Sequence, residues 1–419
     1  MSATKRHALR LTRGRLIGAI AVGIVLTAGG VLWWLFGDHT TLRLLTESPF
    51  AGRCSKELTR APVVRSLELG TRFMLAHQKP AGNFDYEYDW LEKSYTDDDN
   101  EVRQAGALWG LALLFQDHPT RELGAAVERG LAFFDQHSVR TPSGARCVAY
   151  PDKASPGIGT VALVALSYIE YLPAARELTP ERRAFHETRL GEYLNQLVAS
   201  VNADGLWSGN YDPHTCVASG APSPYSDGEA LLTLVKAARY AGHPELQPLI
   251  VRTADAGHRL NIVEALARDP DSDTTKGYYQ WSSMSFYELA TSGWPDTERF
   301  GKILLELADW QIDVHKTLTR VRNTGYAYEG IIPAYDWAKR KGDARADKFA
   351  CVIDLGLGRL LSWQVGGPLA SSFTRRVLSA DTLAVGGVQN EAREPALRID
   401  VTQHQMHALI FAKNLVYTR

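Results

Sequence analysis

From Ala61 onward, apolar positions recur in two kinds of helical segment that alternate along the chain. Segments such as 157–172 are apolar on nearly every face, whereas segments such as 180–201 have one apolar and one charged face. A helix that is apolar all round must be buried all round, while an amphipathic helix shows one face to water. The alternation therefore predicts an inner layer of helices wrapped by an outer layer.

The same pattern predicts about twelve helices in six pairs. Short connections lead from inner to outer helices, and long loops lead into the inner ones, two of them with strand-like alternation at 84–88 and 206–211. The spacing varies too much for a regular superhelical array. We therefore predict an all-α fold, a closed (α/α)6 toroid forming a single domain over residues 61–419. The predicted helices cover residues 62–78, 97–115, 120–137, 157–172, 180–201, 225–242, 244–267, 277–290, 295–316, 326–340, 343–365 and 400–417.

The N-terminus follows a different pattern. A basic tail, 1–15, precedes an uncharged run, 16–36, and a tether, 37–60. The run is close to the ~20 residues that a transmembrane helix needs, and the basic flank favours a cytoplasmic N-terminus. No small-residue cleavage site follows the run, so we predict an uncleaved anchor rather than a removed signal peptide. Either alternative places the main domain outside the cytoplasm, in the periplasm of a bacterial-type envelope.

Composition fits a folded globular protein, with 45% hydrophobic and 22% charged residues. The net charge of −1 gives no sign of a nucleic-acid-binding surface. Four cysteines, Cys54, Cys147, Cys216 and Cys351, allow three pairings, and no CxxC motif suggests a zinc knuckle or a redox dithiol. Since Cys147 and Cys216 lie in loops predicted on the same face, that pairing is favoured.

An acidic cluster marks the start of the second helix: Asp97, Asp98, Asp99 and Glu101, followed by Arg103. Asp97 or Asp98 could cap the helix, and carboxylates there suit the helix dipole. Capping accounts for one or two of the acids but not for all of them. We therefore expect at least one, with Asp98 preferred, to be functional, so that Asp98→Asn would abolish activity or ligand binding without loss of thermal stability.

Other chemically capable residues gather where the inner helices begin, among them Glu229, Tyr278, Tyr279 and Tyr326. Carboxylates supply acid–base chemistry, aromatic faces stack on sugar rings and arginines hold anionic groups, as a carbohydrate site requires. The predicted catalytic residues are Asp98, Glu101, Asp227, Glu329, Asp400 and His404. The predicted substrate-binding residues are Tyr86, Tyr88, Asp97, Asp99, Arg103, Trp207, Tyr225, Trp281, Tyr328 and Arg398, with Arg103 and Arg398 assigned to an anionic substituent.

Structural roles compete with these assignments. Asp227 also suits a helix cap, Glu329 could be a solvated first-turn glutamate, and Asp400 with His404 could form only a local helix contact. The sequence from Asp97 to Glu101 is similar to acidic clusters that bind magnesium diphosphates in terpenoid enzymes, but no second cluster accompanies it. We expect no metal and no cofactor. The absence of GxSxG, HExxH, Walker and GxGxxG motifs in a suitable context disfavours serine-nucleophile, zincin and nucleotide-binding functions.

The helical architecture, with the patches 225–232 (YSDGEALL) and 398–404 (RIDVTQH), resembles the α/α-toroid group. That group includes six-hairpin glycosidases, uronic-acid epimerases and lyases, and terpenoid cyclases. The resemblance implies a cavity ringed by the N-termini of the inner helices, and it does not single out one family.

Two functional hypotheses follow. The first is a membrane-anchored extracytoplasmic enzyme acting on a cell-envelope or surface glycan, as hydrolase, lyase or epimerase. The second is a non-catalytic glycan-binding or assembly module of a surface-polysaccharide system. Both predict a carbohydrate polymer or oligosaccharide as partner, attachment to the cytoplasmic membrane and no nucleic acid.

Overall fold

Twelve α-helices dominate the computed structural model, which describes residues 58–376 and 381–418. They are α1 Arg60–Ala76, α2 Glu101–Asp117, α3 Arg121–Gln136, α4 Ile158–Ala174, α5 Pro180–Ala199, α6 Pro224–Tyr240, α7 Gln247–Gly257, α8 Asp273–Ala290, α9 Phe300–Asp313, α10 Gly325–Lys341, α11 Arg345–Ser362 and α12 Ile399–Phe411. A π-helical turn, His258–Val263, continues α7 into the short helix Glu264–Arg268, counted here as part of α7.

Six helices form a closed inner ring. Each of α2, α4, α6, α8 and α10 packs against the next, and α12 packs against both α10 and α2. The remaining helices, α1, α3, α5, α7, α9 and α11, pack on the outside. In α4 every residue from Ile158 to Leu172 is buried, as expected for an inner helix. The predicted all-α toroid with an inner and an outer layer is confirmed.

The N-terminal prediction falls largely outside the structure. The predicted anchor, 16–36, and the tether up to residue 57 lie outside the described residues. Among the helices that are described, none combines the length and the apolar character needed to cross a membrane. Leu58 is already buried, and its amide donates to Asp354 Oδ1 at 2.9 Å.

Short strands tie the long loops together at the rim where the inner helices begin. Strand β1, Glu87–Asp89, pairs with β2, Ser94–Tyr95, and with β7, Ala396–Arg398. Two hairpins complete the strands: β3 Ser138–Arg140 with β4 Arg146–Val148, and β5 Asn210–Tyr211 with β6 Ala218–Ser219. The β1–β7 pairing joins the loop before α2 to the loop before α12, and so sets Arg398 beside the start of α2.

The predicted Cys147–Cys216 disulfide is confirmed, with a Cα–Cα distance of 5.6 Å. It joins the loop before α4 to the loop before α6. Cys351 is also disulfide-bonded.

The start of α2 corrects one prediction. The helix begins at Glu101 rather than Asp97, and its cap is Asn100, whose Oδ1 accepts from the Arg103 amide at 3.0 Å. Asp97 and Asp98 lie too far before the first turn to cap it, so the predicted capping by either residue was wrong.

Candidate active site

A cavity of about 860 Å³ opens at the rim formed by the first turns of the inner helices. This volume suits a sugar or short oligosaccharide, since ligand pockets measure roughly 300–1,000 Å³. Six of the residues predicted from sequence line it: Arg103, Tyr225, Trp281, Arg398, Asp400 and His404. The rim position predicted for the site is therefore where the structure has its cavity.

His404 projects from α12, and its Nδ1 atom contacts the carboxylate of Glu329 on α10. Glu329 is fully buried, and its Oε1 lies 3.3 Å from His404 Nδ1 and 2.9 Å from His407 Nδ1. The side-chain amide of Gln280 lies 3.1 Å from the same nitrogen of His404. The described residues offer no hydrogen-bond partner to the other ring nitrogen, Nε2, and His404 lines the cavity. His404 can therefore exchange a proton with a ligand while Glu329 fixes its orientation.

The carboxylates around His404 increase its affinity for a proton. Burial alone would lower the pKa of His404, but the carboxylates of Glu329, Asp400 and Glu229 outweigh burial and raise it. Burial acts on Glu329 in the opposite sense and would raise its pKa. The charges and hydrogen bonds of His404 and His407 outweigh that effect, so the pKa of Glu329 lies below its usual value. Glu329 is therefore ionised, and its charge makes the His404 imidazole at the cavity wall a stronger proton acceptor.

Glu229, one turn into α6, lies at the same cavity with its carboxyl group free. Its side chain is only 4% exposed and has no hydrogen-bond partner among the described residues. Burial raises the pKa of Glu229 to about 8, against the opposing charge of His404. Gly159 of α4 leaves room for this carboxyl group, because a Cβ at that position would overlap it. Glu229 is therefore a protonated carboxylic acid at neutral pH, facing an open cavity.

Sequence reasoning placed Glu229 at the rim but did not assign it a catalytic role. A carboxylate one turn inside an otherwise apolar inner helix was the available signal, because such a group is buried and its pKa must shift.

Asp400 is engaged by the two arginines that the sequence assigned to an anionic substituent. Arg398 Nε donates to Asp400 Oδ1 at 3.0 Å, and Arg398 Nη2 donates to Oδ2 at 2.6 Å. Arg103 Nε lies 3.3 Å from the same Oδ2. Both guanidinium groups lie over the Tyr86 ring, 5.5 Å from its centroid, and the Tyr86 hydroxyl accepts from Arg103. No hydrogen bond joins Asp400 to His404 in the described structure, so the predicted orienting partner is replaced by Glu329.

Asp227 has a structural environment. Its Oδ1 accepts from the Trp207 amide and its Oδ2 from Asn261 Nδ2, both at 2.9 Å. Burial raises the pKa of Asp227 to about 7, although these two hydrogen bonds oppose the shift. The carboxylate fastens the loop before α6 to that helix and to the helix after it, and it does not line the cavity.

Three aromatic residues that were predicted to bind substrate are core residues that do not line the cavity. Trp207 is 1% exposed and donates its indole N–H to the Leu197 carbonyl at 2.9 Å. Tyr328 is fully buried, and Tyr88 donates its hydroxyl to Asp381 at 3.3 Å. The aromatic side chains that do reach the cavity are Trp281, Tyr225 and Tyr326. The Trp281 ring centroid lies 5.4 Å from that of Trp109 and 6.2 Å from that of His404, but only 4% of Trp281 is exposed, so it supports the histidine from the core and offers little surface to a ligand.

The acidic cluster before α2 lies outside the cavity lining. Asp97 and Asp98 are exposed, and Glu101 lies 3.5 Å from the Lys153 ammonium. Asp99 holds the loop in place, since its carboxylate accepts from Gln104 at 2.8 Å and from the Tyr150 hydroxyl at 2.6 Å. A direct role for this cluster in function stays a prediction.

Within the described residues, no group of three or more His, Cys, Asp or Glu side chains is arranged to hold a metal ion.

Comparison with other proteins supports the fold but does not identify an activity. No protein-family model and no curated protein sequence matches the chain. Among solved structures, it resembles a sugar epimerase from a ruminal bacterium, with a TM-score of 0.59, 9% identity, and coverage of 84% of this chain and 98% of that one. It also resembles a cellobiose 2-epimerase from Bacillus thermoamylovorans, with a TM-score of 0.58, 9% identity, and coverage of 84% of this chain and 98% of that one. A third similar structure is a GH76 α-mannanase from Bacteroides thetaiotaomicron, with a TM-score of 0.56, 9% identity, and coverage of 84% of this chain and 95% of that one. At such identities the likeness shows the α/α-toroid fold alone.

Proposed function

We propose that this protein is a glycan-active enzyme that transfers protons at a sugar ring held in the toroid cavity, with His404 as base and Glu229 as acid. One observation carries the proposal. The His404 imidazole, whose Nδ1 atom contacts the buried Glu329 carboxylate, lines the same cavity as Glu229, whose carboxyl group burial keeps protonated. A proton acceptor strengthened by a neighbouring carboxylate and a proton donor kept protonated by burial are what general acid–base catalysis requires.

The cavity supports a sugar as the substrate. Its volume of about 860 Å³ and its rim tyrosine Tyr225, which is 47% exposed, suit a ring with apolar faces and polar edges. The structural relatives include an α-mannanase and two sugar epimerases. Those activities belong to the relatives, and they support a glycan as the ligand class for this chain.

The arrangement favours an epimerase or a lyase over a hydrolase. A two-carboxylate hydrolase needs a second carboxylate free to act as nucleophile or base. Besides Glu229, the lining carboxylate is Asp400, and both of its oxygens are occupied by Arg398 and Arg103. A histidine facing a protonated carboxyl group suits removal of a proton from a ring carbon. In an epimerase a proton then returns to that carbon, whereas in a lyase the neighbouring C–O bond breaks and the carboxyl group protonates the leaving oxygen.

We further propose that the enzyme works outside the cytoplasm, anchored by residues 16–36. The disulfide Cys147–Cys216 supports this location, because structural disulfides persist in oxidising compartments.

The test is turnover of candidate oligosaccharides by the full chain, read by mass spectrometry and NMR. We expect Glu229→Gln and His404→Gln each to lower kcat by about a hundredfold or more, the scale of a lost acid or base, while ligand still binds. Glu306→Gln, on the outer helix α9 and about half exposed, is the matched control and should keep full activity. Ligand that binds to the wild type and leaves unaltered would contradict the enzyme proposal and favour a binding module.

A further inference from the structure

The cavity wall carries more positive than negative charge. Five basic side chains line it, namely Arg103, Lys276, Arg320, Arg322 and Arg398, whereas the lining carboxyl groups are Glu229 and Asp400. Since burial raises the pKa of Glu229 to about 8, this carboxyl group adds little negative charge to the cavity at neutral pH. The chain as a whole has a net charge of −1, so this excess belongs to the cavity and not to the whole protein.

Most of these cations have partners. Arg320 lies 3.1 Å from Asp271, and Arg322 lies 3.0 Å from Glu391. Arg103 and Arg398 share the single carboxylate of Asp400. The two arginines predicted to bind an anionic substituent are therefore already committed to a protein carboxylate.

Lys276, in the first turn of α8, is different. Its ammonium group lies 3.5 Å from the Tyr225 hydroxyl, and no carboxylate among the described residues lies within ion-pair distance of it. It is only partly exposed and lines the cavity. A partly buried ammonium group without a counter-ion is a ready site for an anionic ligand group, because its charge is not screened by a neighbouring carboxylate.

Other polar groups lie near Lys276 on the same wall. Arg320 Nε donates to the His315 carbonyl at 2.7 Å, and Tyr326 places its hydroxyl 3.4 Å from His315 Nε2. Burial lowers the pKa of His315; the hydrogen bond and charge of Asp271 oppose this shift, whereas the charges of Arg320 and Lys276 add to it. Because Asp271 matches the charge of Arg320, Lys276 is the cation of this wall without a counter-ion among the described residues.

This wall is next to the proposed catalytic residues. Lys276 precedes Gln280 by one helical turn on α8, so their side chains lie on the same face of the helix. The Gln280 amide in turn contacts His404. A charged group bound at Lys276 would lie on the reacting sugar ring or on the ring beside it.

We propose that the substrate is an acidic glycan, whose carboxylate or sulfate group binds at Lys276 and the Tyr225 hydroxyl while the reacting ring lies between Glu229 and His404. This inference rests on the proposed function and narrows its substrate class. It moves the anion-binding position from Arg103 and Arg398 to the wall that carries the first turn of α8.

Binding of three probes of equal length tests the proposal: tetragalacturonate, a sulfated galactan tetrasaccharide and neutral mannotetraose. Calorimetry uses the full chain carrying Glu229→Gln, so that turnover does not interfere. We expect at least one acidic probe to bind about tenfold tighter than the neutral one at low salt, with the difference shrinking as ionic strength rises. The acidic probe that is preferred distinguishes a carboxylate from a sulfate ligand.

Substitution of Lys276 makes the test specific. Lys276→Gln should remove most of the acidic preference, and Lys276→Arg should retain it. Lys302→Gln removes the same charge from an exposed position on outer helix α9 and should change nothing. Equal binding of acidic and neutral probes, or an acidic preference that survives Lys276→Gln in a normally folded protein, would overturn the inference.

The failure of this inference can be told apart from the failure of the proposed function. Wild-type turnover of the neutral probe without an acidic preference would overturn the acidic substrate class and leave the catalytic proposal standing. An acidic preference without turnover of any probe would do the reverse.

Discussion

The catalytic proposal depends on contacts between residues that lie far apart in the chain. Glu329 and His404 are separated by 75 positions, yet a carboxylate oxygen of one lies 3.3 Å from a ring nitrogen of the other. Glu329 touches no cavity surface and acts through the imidazole, so it is a positioning residue. Its buried charge is tolerated because two histidines share it.

Glu329→Gln should change the pH dependence of catalysis. The variant loses the charge that raises the pKa of His404, so that pKa falls. Because a base works above its own pKa, the acidic limb of the pH–rate profile should move to lower pH, and kcat should fall by about tenfold or more. Steady-state kinetics across pH provide the measurement.

The matched control is Glu170→Gln in α4, which breaks a buried pair with Lys236. That variant should lose stability and keep the wild-type profile. A wild-type profile in Glu329→Gln would contradict the positioning role.

The raised pKa of Glu229 predicts that the stability of the protein depends on pH. Folding raises this pKa from 4.5 to about 8, so the contribution of Glu229 to the free energy of unfolding is fully present below about pH 4.5 and is lost as pH rises through about 8. Glu229→Gln has no ionisable group at this position and therefore does not lose this contribution. We expect its stability advantage over wild type to grow from about pH 5 to about pH 8, to at most roughly 4 kcal/mol, and then to level off.

Urea unfolding of wild type and Glu229→Gln at several pH values checks this, with Glu306→Gln as a control that should follow wild type. A constant difference between wild type and Glu229→Gln across the range would show that Glu229 ionises normally.

At the scale of the element, the start of α2 separates capping from chemistry. Asn100 caps the helix, and the exposed Asp98 lies outside both the helix and the cavity lining. Asn100→Ala should therefore cost about 1 kcal/mol of stability, whereas Asp98→Asn should stay within about 0.5 kcal/mol of wild type. Thermal unfolding measures both.

The structure also changes the expectation for activity, since Asp98→Asn should keep most of it. Loss of turnover in Asp98→Asn at unchanged stability would instead restore the acidic cluster as part of the site.

Much of the whole molecule could be predicted from the sequence, because burial constrains it. A helix such as α4, apolar on all faces, has no stable place except inside a second layer, and this fixed the two-layer toroid. A cavity at the rim was expected from the long loops, and the Cys147–Cys216 pairing from the face that these loops share.

The contacts between side chains within the candidate site could not be predicted in the same way. Which carboxylate meets His404 is decided by closure of the ring between α10 and α12, and not by spacing along one helix. Asp400, one turn before His404, was the local choice, but two arginines stacked on Tyr86 hold it elsewhere. Similarly, the sequence could not show that the Asp227 carboxylate is hydrogen-bonded, whereas the Glu229 carboxyl group has no hydrogen-bond partner among the described residues.

Membrane attachment is a whole-molecule prediction. If residues 16–36 are an uncleaved anchor, the protein should remain with membranes after a carbonate wash. A C-terminal reporter should be active only outside the cytoplasm. A shorter, soluble form recovered from the culture would show a cleaved signal peptide instead.

Proton transfer at a sugar carbon by His404 and Glu229 can be followed by NMR of the oligosaccharide during reaction in D2O. One ring C–H signal should disappear, replaced by deuterium in an epimerase or by an alkene signal in a lyase, and His404→Gln should abolish this change. Cleavage that leaves every ring C–H signal intact, with oxygen from labelled water in the product, would show hydrolysis and overturn the proposed function.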